Sequence, residues 1–177
     1  MPRADARRNR ELLLAAARAV FGERGPSAPL DEIARRAGVG NATMYRHFPT
    51  RRELLIAVYA DEVTALTAEG RDLLAKDPAA DALFIWIRTF IAHIATKRDL
   101  AQAIPEGERT ALFNEWHTTM RSTMSALLTR AQKAGEVRPD VIEADLVTLA
   151  NGIALAGADP DQIDRLIHLV RQGADVS

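Results

Sequence analysis

A cluster of hydrogen-bonding side chains lies between residues 41 and 51. The same segment holds apolar Met44 and Phe48, which suit the inner face of a helix of two turns. A helix this short with so many donors is a poor core element, but it is well equipped to contact phosphates and base edges in a DNA groove. For Tyr45 the alternative is that its ring packs inside the motif. The candidate DNA-binding residues are Asn41, Thr43, Tyr45, Arg46, His47 and Arg51.

A predicted helix-turn-helix positions this cluster. Apolar residues recur at i, i+3, i+4 and i+7 from Leu30 to Ala37 and form one face of a short helix. Gly38 ends that helix in a left-handed conformation, and Val39 lies in the turn. The second helix, Asn41 to His47, stops before Pro49. In motifs of this kind the second helix enters the major groove of DNA.

A third helix follows the motif directly. Thr50 and Glu53 have the spacing of a capping box, in which each side chain bonds to the backbone amide of the other residue. No proline interrupts the sequence from Arg51 to Lys76, so we predict one helix of about 37 Å at 1.5 Å per residue. A long helix leaving a DNA-binding head can act as a lever.

These helices together resemble the start of the TetR family of one-component transcription repressors. The resemblance covers about the first third of the chain, and its motifs are specific when taken together. It implies that the residues matching Tyr45 and His47 grip backbone phosphates. The matching segments are Leu13, Ala16, Ala17, Val20, Phe21 and Gly25, then Ile33-Ala34, Ala37-Gly38-Val39, Thr43-Met44-Tyr45-Arg46-His47-Phe48 and Thr50-Arg51-Arg52-Glu53-Leu54-Leu55.

Two positions depart from the pattern of the resembled family. The family usually has Ser or Thr as the cap of the second helix, where this chain has Ala28 and Pro29. It often has Ser where Gly40 stands. Pro29 suits a first helical position, but each departure removes a hydroxyl that could contact a phosphate. Neither departure touches the helix expected in the groove.

The net charge of −1 conceals an asymmetry along the chain. Residues 1–52 hold eleven Arg, no Lys and five acidic residues, which gives +6, whereas residues 53–177 hold twelve basic and nineteen acidic residues, which gives −7. A basic segment that coincides with a helix-turn-helix indicates double-stranded DNA as a partner. The first residues, with Arg3, Arg7 and Arg8, could also reach phosphates or form a merely solvated terminus.

Composition and periodicity define the class of protein. The absence of cysteine excludes disulfides and fits the cytoplasm. Neither a signal peptide nor the ~20 consecutive apolar residues of a membrane span are found. Sustained alternation of apolar and polar residues is missing, so no sheet is expected. We predict an all-α fold of about nine helices, with a DNA-binding domain over residues 1–50 and a helical effector-binding and dimerisation domain over residues 51–177.

The other predicted helices are separated by proline, glycine and charged residues. Pro78, Pro105, Gly135 and Pro139 mark the clearest breaks. The predicted bounds are Asp5–Glu23 for the first helix and Ala79–Thr96, Arg98–Ile104, Thr110–Ala134, Val141–Ala156 and Gln162–Gln172 for the later ones.

Aromatic residues concentrate in the middle of the chain. Three of the five Phe and both Trp lie between Phe84 and Trp116. A mostly apolar cavity with a few polar groups is how small-molecule sites are built, although any one of these side chains could simply belong to the core. The family resemblance implies a pocket among these helices, and the apolar residues available there favour a small, largely apolar effector. The candidate pocket residues are Trp86, Phe90, His93, Phe113, Trp116, His117, Met120 and Asn151.

The last two helices carry apolar stripes and many small residues. In the resembled family the last two long helices form a four-helix bundle across a two-fold axis, which implies a homodimer. The alternative is packing within one chain. The candidate dimer residues are Leu146, Leu149, Ile153, Ile163, Leu166, Ile167 and Val170.

Catalysis finds little support in the sequence. It has no HExxH, P-loop, GxGxxG or nucleophile-elbow motif, and Glu106 and Glu108 are expected in a solvated loop. We therefore predict no enzyme, cofactor or metal site, but a homodimeric repressor that a small effector releases from a palindromic operator. Two alternatives stay open: a helical small-molecule-binding protein or enzyme whose head is vestigial, or a non-specific DNA-bending or scaffolding protein without an effector.

Overall fold

The computed structural model describes residues 3–76, 78–103 and 106–175, with side chains throughout except at residue 3 and residues 95–112. Within these ranges the only β-structure is an isolated bridge between Val137 and Asp175. The predicted all-α class is therefore confirmed. The eight described helices are α1 (Arg3–Arg24), α2 (Leu30–Ala37), α3 (Asn41–His47), α4 (Arg51–Leu73), α5 (Ala79–Ala103), α6 (Glu106–Lys133), α7 (Glu143–Leu155) and α8 (Pro160–Ala174).

The prediction of a separate short helix over Arg98–Ile104 is wrong. Helix α5 continues without a break to Ala103, because neither proline nor glycine interrupts the backbone hydrogen bonds before Pro105. Ile104 and Pro105 lie outside the described residues. The loop predicted around Glu106 is also wrong, since α6 begins there. The continuation of α5 through the predicted short helix accounts for eight described helices instead of nine.

Local chemistry sets several helix ends as predicted. At the start of α4, the Thr50 amide donates to Glu53 Oε2 and the Glu53 amide donates to Thr50 Oγ1, both at 3.2 Å. This is the capping box expected from the spacing. At the start of α8, the Asp159 carboxylate accepts from the Gln162 amide at 2.8 Å, and Pro160 takes the first helical position.

The chain divides into two compact units. The first consists of Met1–Glu62 and Thr96–Arg109, and the second of Val63–Ala95 and Thr110–Ser177. The division of function predicted at residue 50 stays a prediction, since compactness alone does not test it. None of the described helices is long and apolar enough to cross a membrane.

Helix α4 packs closely against α5 and α6 in the second unit. The buried Trp86 indole N–H donates to the carbonyl of Leu66 at 2.9 Å. A Cβ added at Gly70 would collide with the Thr123 methyl group and approach Trp86 Nε1 to 3.0 Å. Only a residue without a side chain therefore fits at this position of α4.

Candidate nucleic-acid interface

The turn between α2 and α3 depends on a glycine. Gly38 has a φ of 66°, in the left-handed region that residues with a Cβ rarely adopt. Its amide donates to the carbonyl of Arg35 at 3.2 Å, and the Val39 amide donates to Ala34 at 3.0 Å. These bonds satisfy carbonyls at the end of α2. Val39 is almost fully buried. The turn is therefore held both by its backbone hydrogen bonds and by the burial of the Val39 side chain.

The inner face of α3 anchors the helix. Met44 and Phe48 are buried, with 1% and 3% of their surface exposed. The Arg10 guanidinium of α1 lies over the Phe48 ring, 5.6 Å from its centre. Burial of two large apolar side chains in so short a helix is what holds it in place, because helices of this length are not stable alone.

The other face of α3 presents its donors to solvent. Tyr45 is 46% exposed, so its ring does not pack inside the motif. Asn41 and Arg46 are also exposed, whereas Thr43 and His47 are half-buried. The Arg46 side chain donates from Nε to the carbonyl of Ala42 at 3.1 Å, which leaves its terminal amino groups for another partner. Contact of these residues with DNA stays a prediction.

The sequence suggested that Arg51 neutralises a DNA phosphate, but in the structure its side chain is hydrogen-bonded within the protein. Its Nη1 atom donates to the carbonyl of Pro26 at 2.7 Å and to that of Ala28 at 2.6 Å. The half-buried guanidinium thus ties the start of α4 to the loop before α2. Three of its five N–H groups are not used in these bonds, so a phosphate contact stays a prediction alongside this structural role.

The starts of α2 and α3 lack side-chain caps. Pro29 is the N-cap of α2, one position earlier than predicted, and Gly40 is the N-cap of α3. Neither supplies a side-chain hydrogen bond to the first turn. The absence of hydroxyls noted in the sequence therefore leaves the first amides of both helices without a side-chain acceptor.

Ion pairs join α1 to α2. The Arg36 guanidinium donates to both carboxylate oxygens of Glu23, at 2.7 and 2.6 Å, and to Glu32 at 3.2 Å. Arg24 also pairs with Glu32, at 2.5 Å. The hydrogen bond from Arg36 holds the pKa of the Glu23 carboxyl below its ordinary value. The sequence did not indicate these pairs, since Glu23 and Arg36 lie 13 positions apart.

Most of the candidate effector residues belong to the core of the second unit. Trp86 stacks on Phe90 with ring centres 5.2 Å apart, and Phe113 meets Trp116 edge-on at 5.5 Å. Asn151 is half-buried and donates to the carbonyl of Val147 in its own helix at 2.7 Å. Their role as a pocket stays a prediction. Within the set, Trp86, Phe90, His93, Phe113 and Met120 are buried, whereas Trp116 and His117 are half-buried.

The candidate dimer residues are divided between the inside and the surface of the protomer. Leu146 is buried, whereas Leu149 is 45% exposed. Leu155 and Leu169, which were not among the predicted residues, are 60% and 62% exposed. Ile153, Ile163, Leu166, Ile167 and Val170 are half-buried. Five of the predicted side chains line a small apolar cleft together with Phe84 and Ile87 of α5: Leu146, Leu149, Ile153, Ile167 and Val170.

A helix-turn-helix with a solvent-facing donor surface defines a DNA-binding protein of the all-α class. Residues 13–58 match the family described as bacterial regulatory proteins, tetR family. Residues 77–175 match the family described as transcriptional regulator SbtR-like, C-terminal domain. The first match ends inside α4, and the second begins after α4 has ended.

Solved structures extend the similarity over the whole chain. The TetR transcriptional regulator SCO0520 from Streptomyces coelicolor is 39% identical, with a TM-score of 0.83 over 95% of this chain and 99% of its own. A TetR transcription regulatory protein from Mycobacterium vanbaalenii is 35% identical, with a TM-score of 0.80 over 99% of this chain and 100% of its own.

A third relative matches over a shorter stretch. The HTH-type transcriptional activator FasR of Mycolicibacterium smegmatis is 44% identical over 75 residues, 42% of this chain. That match spans 33% of the activator's own length. The chain belongs to the TetR family of transcriptional regulators, and it is a DNA-binding regulator, not an enzyme.

Proposed function

We propose that the protein is a homodimeric repressor that leaves a palindromic operator when a small effector binds. The observation that carries the proposal is the division of α3 into a buried inner face, Met44 and Phe48, and an outer face that exposes Tyr45 and Arg46. Such a helix can enter a major groove without disturbing its own packing. The protein would act in the cytoplasm, where it meets the chromosome.

The proposed DNA contacts fall into two groups. Tyr45 and His47 bind backbone phosphates, as the family resemblance implies, and Arg46 adds a cation beside them. Asn41 and Thr43 lie at the start of α3, where first contacts with bases occur in such motifs. Arg51 contributes through its unused donors. Residues 1–50 would then form the DNA-binding domain and residues 51–177 the effector-binding and dimerisation domain.

The dimer is supported by the surface of the last two helices. Leu149, Leu155 and Leu169 are large apolar residues exposed on α7 and α8, and exposed apolar surface of this kind is often covered by a partner. Gly152 lies between the first two, and a Cβ there would meet nothing within 4 Å, so a second chain can approach closely. A two-fold axis through this face would give two heads and a palindromic operator.

The sign of regulation is a separate part of the proposal and has its own test. The resemblance is to repressors, whereas the relative FasR is named as an activator. Effector release requires that the effector bind the two states of the protein with different affinity. A reporter gene under the native upstream DNA distinguishes the two signs, since deletion of a repressor raises expression and deletion of an activator lowers it.

The decisive experiment is a fluorescence-anisotropy titration against DNA from upstream of the gene itself and of its neighbours. A control duplex of equal length and base composition is titrated at the same salt concentration, because phosphate contacts make affinity salt-dependent. Tight binding to upstream DNA alone supports the proposal and supplies an assay for effectors. Equal, weak binding to both duplexes would reject it in favour of a scaffolding role.

A further inference from the structure

An open groove of about 430 Å³ lies between α4 and α6 in the second unit. Its volume falls in the range of small-molecule sites, but its lining differs from an apolar pocket. Five side chains carry a hydroxyl, one is an arginine, two are apolar and none is acidic. The lining residues are Thr67, Arg71 and Leu74 on α4, and Thr118, Thr119, Ser122, Thr123 and Ala126 on α6.

Four threonine hydroxyls of the groove donate to carbonyls of their own helices and keep the capacity to accept. Thr118 donates to the carbonyl of Asn114 at 2.8 Å, and Thr123 donates to that of Thr119 at 3.1 Å. Thr67 and Thr119 make the same bond within their own helices. Because a hydroxyl has one proton and two lone pairs, each oxygen that has donated to its helix still accepts. A ligand with hydrogen-bond donors would complement these oxygens.

Arg71 contributes a positively charged hydrogen-bond donor to the groove, in contrast to the neutral threonine acceptors. Arg71 is exposed, and within the described part of the chain it makes no ion pair or hydrogen bond. Two other arginines of the second unit are paired, Arg88 with Asp164 at 2.5 Å and Arg121 with Glu143 at 2.8 Å, whereas Arg165 on α8 is exposed like Arg71 but lies outside the groove. A free guanidinium presents a planar fork that matches a carboxylate.

We propose that this groove binds a small hydroxylated carboxylate. Arg71 donates to the carboxylate, the hydroxyls of the ligand donate to the threonine oxygens, and Leu74 and Ala126 contact its carbon skeleton. None of the eight residues of the predicted apolar pocket lines this groove. The assignment as an effector rests on the proposed function, and it replaces a largely apolar effector with an anionic, hydroxyl-bearing one.

The groove adjoins a close contact between α4 and α6 at Gly70. Thr123 both lines the groove and is the residue that a Cβ at Gly70 would strike. A ligand bonded to Arg71 and Thr123 would therefore contact both helices beside this close contact. Helix α4 begins at Arg51, directly after the helix-turn-helix, and is covalently continuous with it. A shift of α4 caused by a ligand could therefore move the proposed DNA-binding motif.

Binding is tested by isothermal titration calorimetry on the full chain without DNA. Gluconate, quinate and lactate serve as hydroxylated carboxylates, hexanoate as a carboxylate without hydroxyls, and sorbitol as a polyol without charge. We expect at least one hydroxylated carboxylate to bind, and both comparators to bind about tenfold or more weakly. Lack of binding by all three up to about 10 mM, or equal binding of hexanoate, would overturn the proposal.

Two arginine variants locate the site. Arg71→Gln removes the cation of the groove and should weaken binding about tenfold or more, whereas Arg165→Gln, an exposed position on α8, should leave it unchanged. Arg71→Lys should restore part of the affinity. Equal loss in both glutamine variants would indicate a general charge effect and reject the site. Amide chemical shifts at Thr118, Ser122 and Thr123 should move with ligand and report the location directly.

The regulatory role is measured separately. The ligand found above is added to the operator complex in the anisotropy assay, and we expect release of DNA with wild-type protein but not with Arg71→Gln. Calorimetric binding without any effect on DNA would keep the site and reject its role as effector site. Failure of operator binding itself would instead reject the proposed function, because the calorimetry involves no DNA.

Discussion

Exposure on α3 separates residues that hold the helix from residues that can meet DNA. Tyr45 is the large side chain on the outer face, so its removal should leave the core intact. We expect Tyr45→Ala and His47→Ala each to lower operator affinity about tenfold, the effect of one lost hydrogen bond to a charged group. Anisotropy at fixed salt measures the effect, with melting temperature and oligomeric state as controls. Unchanged affinity would remove both residues from the interface.

Arg51 has a structural role that DNA binding would not reveal. Its guanidinium bonds to two carbonyls of the loop before α2, and hydrogen bonds from charged groups contribute about 1.5–3 kcal/mol each. We expect Arg51→Ala to lower the free energy of unfolding by about 1–3 kcal/mol in urea titrations without DNA. Arg51→Lys keeps the charge but places its donors on an ammonium at the end of a shorter, flexible stem, so it should recover only part of the stability. Unaltered stability in the alanine variant would show that the clamp contributes nothing.

Sequence predicted the environment of single residues better than their partners. The periodicity of α3 predicted that Phe48 is buried, because an apolar residue one turn from Met44 belongs on the same face. It could not predict that Arg51 holds the carbonyls of Pro26 and Ala28, since a carbonyl is present at every position and its availability depends on the loop conformation. The ion pair between Glu23 and Arg36 could not be predicted either, because the two residues lie 13 positions apart in different helices.

At the scale of helices, termini were predicted where a side chain marks them. Thr50 with Glu53 and Asp159 with Pro160 identified the starts of α4 and α8, because their chemistry is local. The polar stretch after Thr96 suggested a break in α5, yet charged residues are compatible with a helix. Without proline or glycine the helix continued.

The uncapped start of α3 offers a gain-of-function test. Gly40 has a φ of −65° and a ψ of 144°, and a Cβ there meets nothing within 4 Å, so serine fits without strain. Gly40→Ser should add an N-cap and stabilise the protein by a few tenths of a kcal/mol. It should also tighten operator binding if the hydroxyl reaches a phosphate. Gly22→Ser, in an open position of α1, is the control and should not change DNA affinity.

The ion pair between α1 and α2 makes stability depend on pH. Hydrogen bonding to Arg36 lowers the pKa of Glu23, so the pair contributes above the unfolded pKa of about 4.3 and is lost as pH falls through the lower folded value. Glu23→Gln should therefore destabilise the protein at pH ~7 and much less near pH ~3. Urea titrations of both proteins at both pH values measure this. A difference that stays constant with pH would contradict the assignment.

At the scale of the whole molecule, charge is divided along the chain, with +6 over residues 1–52 and −7 over the rest. Binding through the basic segment should release counterions, so log affinity should fall linearly with log salt by about 0.9 per phosphate contact. Removal of one contact by Arg46→Ala should reduce that slope by about one. Salt-independent binding would contradict phosphate contacts altogether.

Long-range organisation was the part least accessible to sequence. The stripes of α7 and α8 predicted apolar faces, but Leu146 turned inward while Leu155, outside the prediction, stayed exposed. The groove was missed because α4 and α6 build it together from positions about 50 residues apart. The paired hydroxyls at Thr118, Thr119, Ser122 and Thr123 recur at a spacing of four and were its available signal.

The close packing at Gly70 restricts which substitutions this position of α4 can accept during evolution. A Cβ at this position would force the Thr123 side chain to shift and would approach Trp86 Nε1 to 3.0 Å, so substitution here is disfavoured while the packing of α4 on α6 is kept. Gly152 of α7 has open space around it in a single protomer. Glycine lowers helix stability by a similar amount at both positions. Substitution of Gly70 is restricted by contacts within the chain itself, whereas substitution of Gly152 would be restricted only if a second chain packed against it.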